Sequence, residues 1–156
     1  MASVLKVDEI QSTSAGGITM PKQPRFDAGG TGTGEGYQQT TPIPFATVNV
    51  DNASGWNASN NKYAAPIAGD YMVTCDVGII RTTTANGYGF IEIVQNGTNK
   101  GYSYFQSSQA ETEYHHLSIQ RVLTCAVGDL IHINWGGDGH YYQGPRELRL
   151  TIQYMG

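Results

Sequence analysis

Charge is scarce in this chain. Only 14% of its 156 residues are Asp, Glu, Lys or Arg, and the net charge is −4. No run of Lys or Arg occurs. The cationic cluster that a nucleic-acid binder needs to neutralise phosphates is therefore missing, and no nucleic acid is expected among the partners. Long apolar runs are missing too. Nothing approaches the roughly 20 residues that span a bilayer, so no membrane insertion is expected. The opening MASVLKVDEI follows Val4 and Leu5 with Lys6, Asp8 and Glu9, too broken for the apolar region of a secretory signal. The expectation is synthesis and folding in a cytoplasm. Cysteine occurs only at Cys75 and Cys125. A bond between them would close a loop of about 50 residues and contribute roughly 4 kcal/mol in the chain-entropy picture. A reducing cytoplasm favours two buried thiols instead.

Patterns that carry chemistry are equally few. There is no Gly-x-Ser-x-Gly elbow and no Cys-x-x-Cys pair. His115, His116, His132 and His140 form no helical i, i+4 ligand pair. Glu111, Glu113 and Asp138 sit in polar stretches that mark no acid–base pair. The stretch AGGTGTGEG, residues 28–36, lacks the Gly-Lys-Ser/Thr ending of a phosphate cradle and precedes no helical pattern. No catalytic residue, metal or cofactor is expected, and the chain does not read as an enzyme.

What the chain does have is glycine and tyrosine: 20 glycines, and ten tyrosines against four phenylalanines. Glycine suits turns, and tyrosine suits half-buried, half-wet surfaces such as interfaces. Three regions follow from composition: an N-terminal segment over 1–27, a glycine-rich linker over 28–41, and a β domain over 42–156. Period-two alternation carries the β reading. Tyr71, Val73, Cys75 and Val77 share one face against Met72, Thr74 and Asp76. Ile131, Ile133 and Trp135 oppose Leu130, His132 and Asn134. Leu148, Leu150, Ile152 and Tyr154 alternate with Arg149, Thr151, Gln153 and Met155. Further strands are expected over 43–50, 90–94, 102–105 and 117–123. Asn86-Gly87, Asn96-Gly97, Gly128-Asp129 and Gly136-Gly137 supply turns between them. Past residue 40 no segment has helical periodicity. The fold class is all-β, an antiparallel sandwich or jelly roll.

The stretch YAAPIAGDYMV, residues 63–73, fits that frame. Pro66 lacks an amide donor and belongs at a strand entry. Gly69-Asp70 bends the chain into Tyr71, with Tyr63 across the turn. With its neighbours Phe45, Trp56 and Asn57, this segment resembles the opening of the complement first-component q globular head and tumour necrosis factor superfamily, with its Phe/Tyr-x-x-Pro-x-x-Gly-x-Tyr signature. IEIVQNGTNKG (91–101) looks like that family's strand ending in an Asn-Gly hairpin. LTCAVGDLIHINW (123–135) resembles its Leu-x-x-x-x-Gly-Asp strand pair, and ELRLTIQYMG stands where its closing strand lies. Tyr63 replaces the usual Phe, and no closing Phe-x-Gly-x-Leu element is recognisable. The resemblance implies a ten-strand jelly roll that assembles into homotrimers. Such a trimer would bury tyrosines and cover sheet edges.

The segment SVLKVDEIQSTSAGGI, residues 3–18, resembles the leader of bacteriophage virion proteins, with its Leu-Lys-Val-Asp/Asn-x-Ile-Gln pattern. On that resemblance Val4, Leu5, Val7 and Ile10 are the candidate virion anchor, and other virion proteins, a major capsid protein or tail and fibre proteins, are the expected partners. Three roles follow: a capsid decoration (cement) protein or short head fibre, a tail-fibre tip that recognises a host surface glycan, and a free ligand-binding head. The first leads, with the virion as the location.

Two further candidates carry open alternatives. In NWGGDGHYYQGP (134–145), Trp135, Asp138, His140, Tyr141 and Tyr142 place aromatic faces beside a carboxylate, which suits sugar stacking and hydroxyl bonding. The same aromatics also suit a subunit contact or a cap on the sandwich. His132 is either a hydrogen-bonded or solvated histidine, or one of three that meet on a threefold axis. Asn52, Asn57 and Asn96 head Asn-x-Ser/Thr triplets and read as turn residues.

Overall fold

The computed structural model describes residues 23–30, 37–38, 41–81, 87–106, 113–137, 140–142 and 148–156. Among these there are twelve strands and no helix. They form two antiparallel sheets packed face to face. The larger sheet runs β2 (Tyr37–Gln38), β11 (His140–Tyr142), β6 (Gly69–Arg81), β12 (Leu148–Tyr154), β1 (Arg25–Gly29) and β3 (Thr47–Asp51), with β9 (Glu113–Cys125) on the other side of β6. The smaller sheet runs β4 (Trp56–Asn57), β5 (Lys62–Ala64), β10 (Leu130–Gly137), β7 (Tyr88–Gln95) and β8 (Thr98–Gln106). This is a jelly-roll sandwich, as the alternation implied.

The core follows from the pleat. Successive side chains of a strand point to opposite faces. Tyr71, Val73, Cys75, Val77 and Ile79 of β6 are all completely buried against Ile91, Ile93, Ile131 and Ile133 of the smaller sheet. At the strand entry the Tyr71 hydroxyl donates to the Ile67 carbonyl at 2.8 Å, and the Tyr63 and Tyr71 rings meet edge to face at 6.4 Å. Gly69, at φ +144°, makes the bend, and a side chain there would strike the Tyr154 ring. The β7–β8 hairpin turns on Asn96 and Gly97, both with positive φ, which is the pairing a two-residue hairpin requires.

Two expectations need correction. The boundary drawn at 27 falls inside strand β1, and the glycine-rich segment after it contributes residues to the larger sheet. Strand β1 pairs with β12 and β3, and Phe26 is fully buried in the core. The β domain therefore takes in Arg25–Gly29. The other case is the segment 43–50, which is strand only from Thr47. Ile43 and Phe45 reach the core from a non-strand stretch whose Ile43 amide donates to the Ile133 carbonyl.

The cysteines are both buried and free. Cys75 stands opposite Ile119, six positions from Cys125 along β9. That is about 20 Å, far beyond the reach of a disulfide. Burial pushes the Cys125 thiol up to about 11, and the Cys75 thiol is raised as well. The three Asn-x-Ser/Thr asparagines are turn pins. Asn52 accepts from the Arg25 amide and donates to the Gln23 carbonyl. Asn57 accepts from Ser59, and Asn96 donates to Asp129 while accepting from the Leu130 amide.

Candidate functional site

Of the five residues grouped in one loop by the sequence, Trp135 lies in one sheet and His140, Tyr141 and Tyr142 lie in the other. Trp135 lies on β10 with Ile131 and Ile133, points into the core and is 5% exposed. It is a core residue and offers no open face for stacking. His140, Tyr141 and Tyr142 form β11, which pairs with β2 and β6 in the other sheet. The chain thus crosses between sheets within this segment, and Trp135 shares no strand pairing with the tyrosines. Asp138 lies outside the described residues, as do Val4, Leu5, Val7 and Ile10.

His132 takes the opposite face of β10 from Trp135, as alternation requires, but it is only 6% exposed within the single chain. Its Nδ1 is buried without a hydrogen-bond partner. Burial and the nearby Lys62 charge lower its pKa, partly opposed by Glu92. The imidazole is thus largely covered within its own subunit. No group of three His, Cys, Asp or Glu among the described residues could hold a metal ion.

The outward side of the smaller sheet carries the aromatics that the sequence did not single out. On β8, Gly101, Ser103 and Phe105 face inward, so Tyr102 and Tyr104 project outward, 60% and 62% exposed, with ring centroids 5.9 Å apart. Across the ladder, Phe90 stands opposite both Tyr104 and Gly136. A Cβ at Gly136 would come within 2.3 Å of the Phe90 ring, so the missing side chain lets that ring settle on the sheet. Tyr88 lies nearly parallel to Phe90, with centroids 6.3 Å apart.

The next rung is polar. Glu92 stands between Tyr102 and Asn134. Its Oε1 accepts from Asn134 Nδ2 at 2.9 Å, and its Oε2 accepts from Asn99 Nδ2. Thr41 Oγ1 in turn donates to Asn134 Oδ1 at 3.1 Å. A carboxylate is thus held in place beside open aromatic rings. The signal for this face was present in Tyr-Ser-Tyr-Phe, residues 102–105. Alternation puts the two tyrosines together, but which side of the strand is outside depends on the opposite sheet.

A second feature lies on the larger sheet. A cleft of about 230 Å³ is lined by Asp27, Gly29, Gly30, Thr47, Asn49 and Arg149. Asp27 is almost covered. It accepts from Arg149 at 2.8 Å and from Asn49 at 3.2 Å. Burial pushes its carboxyl up, but these hydrogen bonds and the guanidinium charge prevail and hold it below the usual range. The pair lines the cleft and ties β1 to β12.

No protein-family model matches the sequence, and no curated protein matches it. Among solved structures, the globular domain of zebrafish complement 1qA protein matches with a TM-score of 0.65 at 13% identity, covering 86% of this chain and 98% of that one. Eiger TNF from S. frugiperda matches with a TM-score of 0.65 at 12% identity, over 86% and 93% of the two chains. Murine APRIL matches with a TM-score of 0.60 at 12% identity, over 86% and 100%. At such identities the likeness is one of fold: the jelly roll of complement globular heads and tumour necrosis factor domains.

Proposed function

We propose that this protein is a non-enzymatic, trimeric structural protein of a bacteriophage particle, displayed on the capsid surface as a decoration protein or short head fibre. The observation that carries the reading is a complement-head-like sandwich with open edges, joined to a leader of the phage-virion type. Among the described residues, strands β8 and β9 each pair on one side only and lie together along one flank of the sandwich. Unpaired edge strands of this length invite association, and closed symmetry is the usual way to satisfy them without endless growth. The outward face of the larger sheet suits a contact between copies. Thr74, Thr151, Gln120 and Gln153 are short or uncharged, and Val122 is exposed among them. Three leaders per trimer would convert weak anchoring contacts into a durable hold through high effective concentration.

Sedimentation equilibrium tests the assembly: a threefold mass is expected, and a stable lone subunit overturns it. The anchor is tested by deleting residues 1–22, not 1–27, because the longer cut removes Phe26 from the core. The shortened trimer should stay folded and no longer bind particles. Decoration that survives the deletion refutes the anchor. The exposed tyrosines favour a second reading, a tail-fibre tip that engages a host surface glycan. Saturable binding of the purified protein to host cells, with none to DNA-filled heads, would select it.

A further inference from the structure

We infer that the outward face of the smaller sheet, built on Tyr102, Tyr104, Phe90 and Glu92, is a binding site for a neutral polysaccharide. The inference stands whether the protein sits on a capsid or on a tail. A pyranose presents an apolar C–H face and a rim of hydroxyls, and its recognition needs flat aromatic surface beside fixed planar acceptors and donors. Both are here on adjacent rungs. Tyr102 and Tyr104 give two open rings 5.9 Å apart, a spacing that lets successive sugars each meet one ring. Phe90 extends the shelf over Gly136. Glu92 supplies the acceptors, and each carboxylate oxygen keeps a lone pair beyond the one that Asn134 or Asn99 engages. The amides hold the carboxylate before any ligand arrives, which lowers the ordering cost of binding.

The charge pattern argues against other occupants. Among the described residues Glu92 is bonded to amides and forms no ion pair. A second copy placed over this face would bury that carboxylate, and would have to bring a cation to it for the contact to be favourable. Nucleobases also stack on aromatic side chains, but Glu92 and the net charge of −4 repel the phosphates that accompany them. A neutral polyhydroxylated chain meets neither objection.

The test is affinity electrophoresis of the full chain in native gels containing dextran, mannan or galactan, with polygalacturonate as the anionic comparison. At least one neutral polymer should retard the protein, and polygalacturonate should not. Replacing Tyr102 and Tyr104 together by Ala should weaken the retardation about tenfold or more, with melting temperature and sedimentation unchanged. E92Q, which keeps one acceptor and the shape, should weaken it less. Absence of retardation by all three neutral polymers overturns the proposal. So does undiminished retardation of the double variant, or a double variant that sediments as a smaller species, which would make the face a contact between copies.

Discussion

The two sheets are alike on their inward sides and unlike on their outward sides. Inward, both present close-packed aliphatic and aromatic residues at every second position, and the Leu150 row of one sheet is as dry as the Ile133 row of the other. Outward, the larger sheet carries threonines, glutamines and the Asp27–Arg149 pair, while the smaller sheet carries Tyr102, Tyr104 and Phe90 around one carboxylate. The hydrophobic effect constrains the inward residues to one answer. The outward residues are free of that constraint, so their chemistry reports what each face meets.

The largest effects are expected where a cavity is opened on either side of the shared core. Leu150→Ala and Ile133→Ala should each cost about 2–5 kcal/mol by urea denaturation, in a single transition. Two separate transitions would mean that the sheets do not share one core. A second test concerns the larger sheet's outward pair. Arg149→Met should cost about 1 kcal/mol at neutral pH, a modest value because the guanidinium is more than half exposed and screened. Asp27 has a lowered folded pKa, so its contribution is complete above the unfolded value of about 3.9 and fades as pH falls through the folded one. The cost of Arg149→Met should shrink over the same acid range. A cost that ignores pH would assign it to packing.

Tyr63→Phe probes the core itself and should be stabilising by about 1 kcal/mol. The Tyr63 hydroxyl is buried without a partner, and its desolvation drives its pKa upward. A loss of stability would reveal a hydrogen bond that the geometry lacks. His132 gives a smaller, pH-dependent effect. Its folded pKa lies below 6.5, so the unfolded chain binds the proton more readily. The stability it protects is complete above about pH 6.5 and declines as the solution is acidified towards the folded pKa. His132→Gln should flatten the slope of stability against pH over that window, and an unchanged slope would place the titration elsewhere. The smallest effect is expected on the aromatic face. Tyr102→Ala with Tyr104→Ala should change stability by no more than about 0.5 kcal/mol, as befits exposed side chains away from core features.

Much of the sandwich was legible from residue order. The alternation of β6, β10 and β12, the Asn96-Gly97 hairpin and the Tyr63–Tyr71 turn all depend on neighbours within a few residues. The candidate site was less legible. Trp135, Tyr141 and Tyr142 look like one cluster in the chain, yet Trp135 belongs to the small sheet's core and the tyrosines to the large sheet. Tyr102 and Tyr104 carried no motif of their own. Strand β1 was hidden because RFDAG is short and runs into a glycine-rich stretch, and only its partners β12 and β3 make it a strand.

Residue order alone dictates which side chains of each strand share a face, where the chain turns, and that no charged surface would dominate. These are consequences of a two-residue repeat and of local backbone preferences. Long-range packing settles the rest: which strands join which sheet, that Arg25–Gly29 enters the domain, that His132 is covered, and that Tyr102 and Tyr104 of β8 face solvent. Strand pairing is chosen between residues far apart in the chain, by burial that both partners must satisfy at once, and the local pattern alone does not specify it.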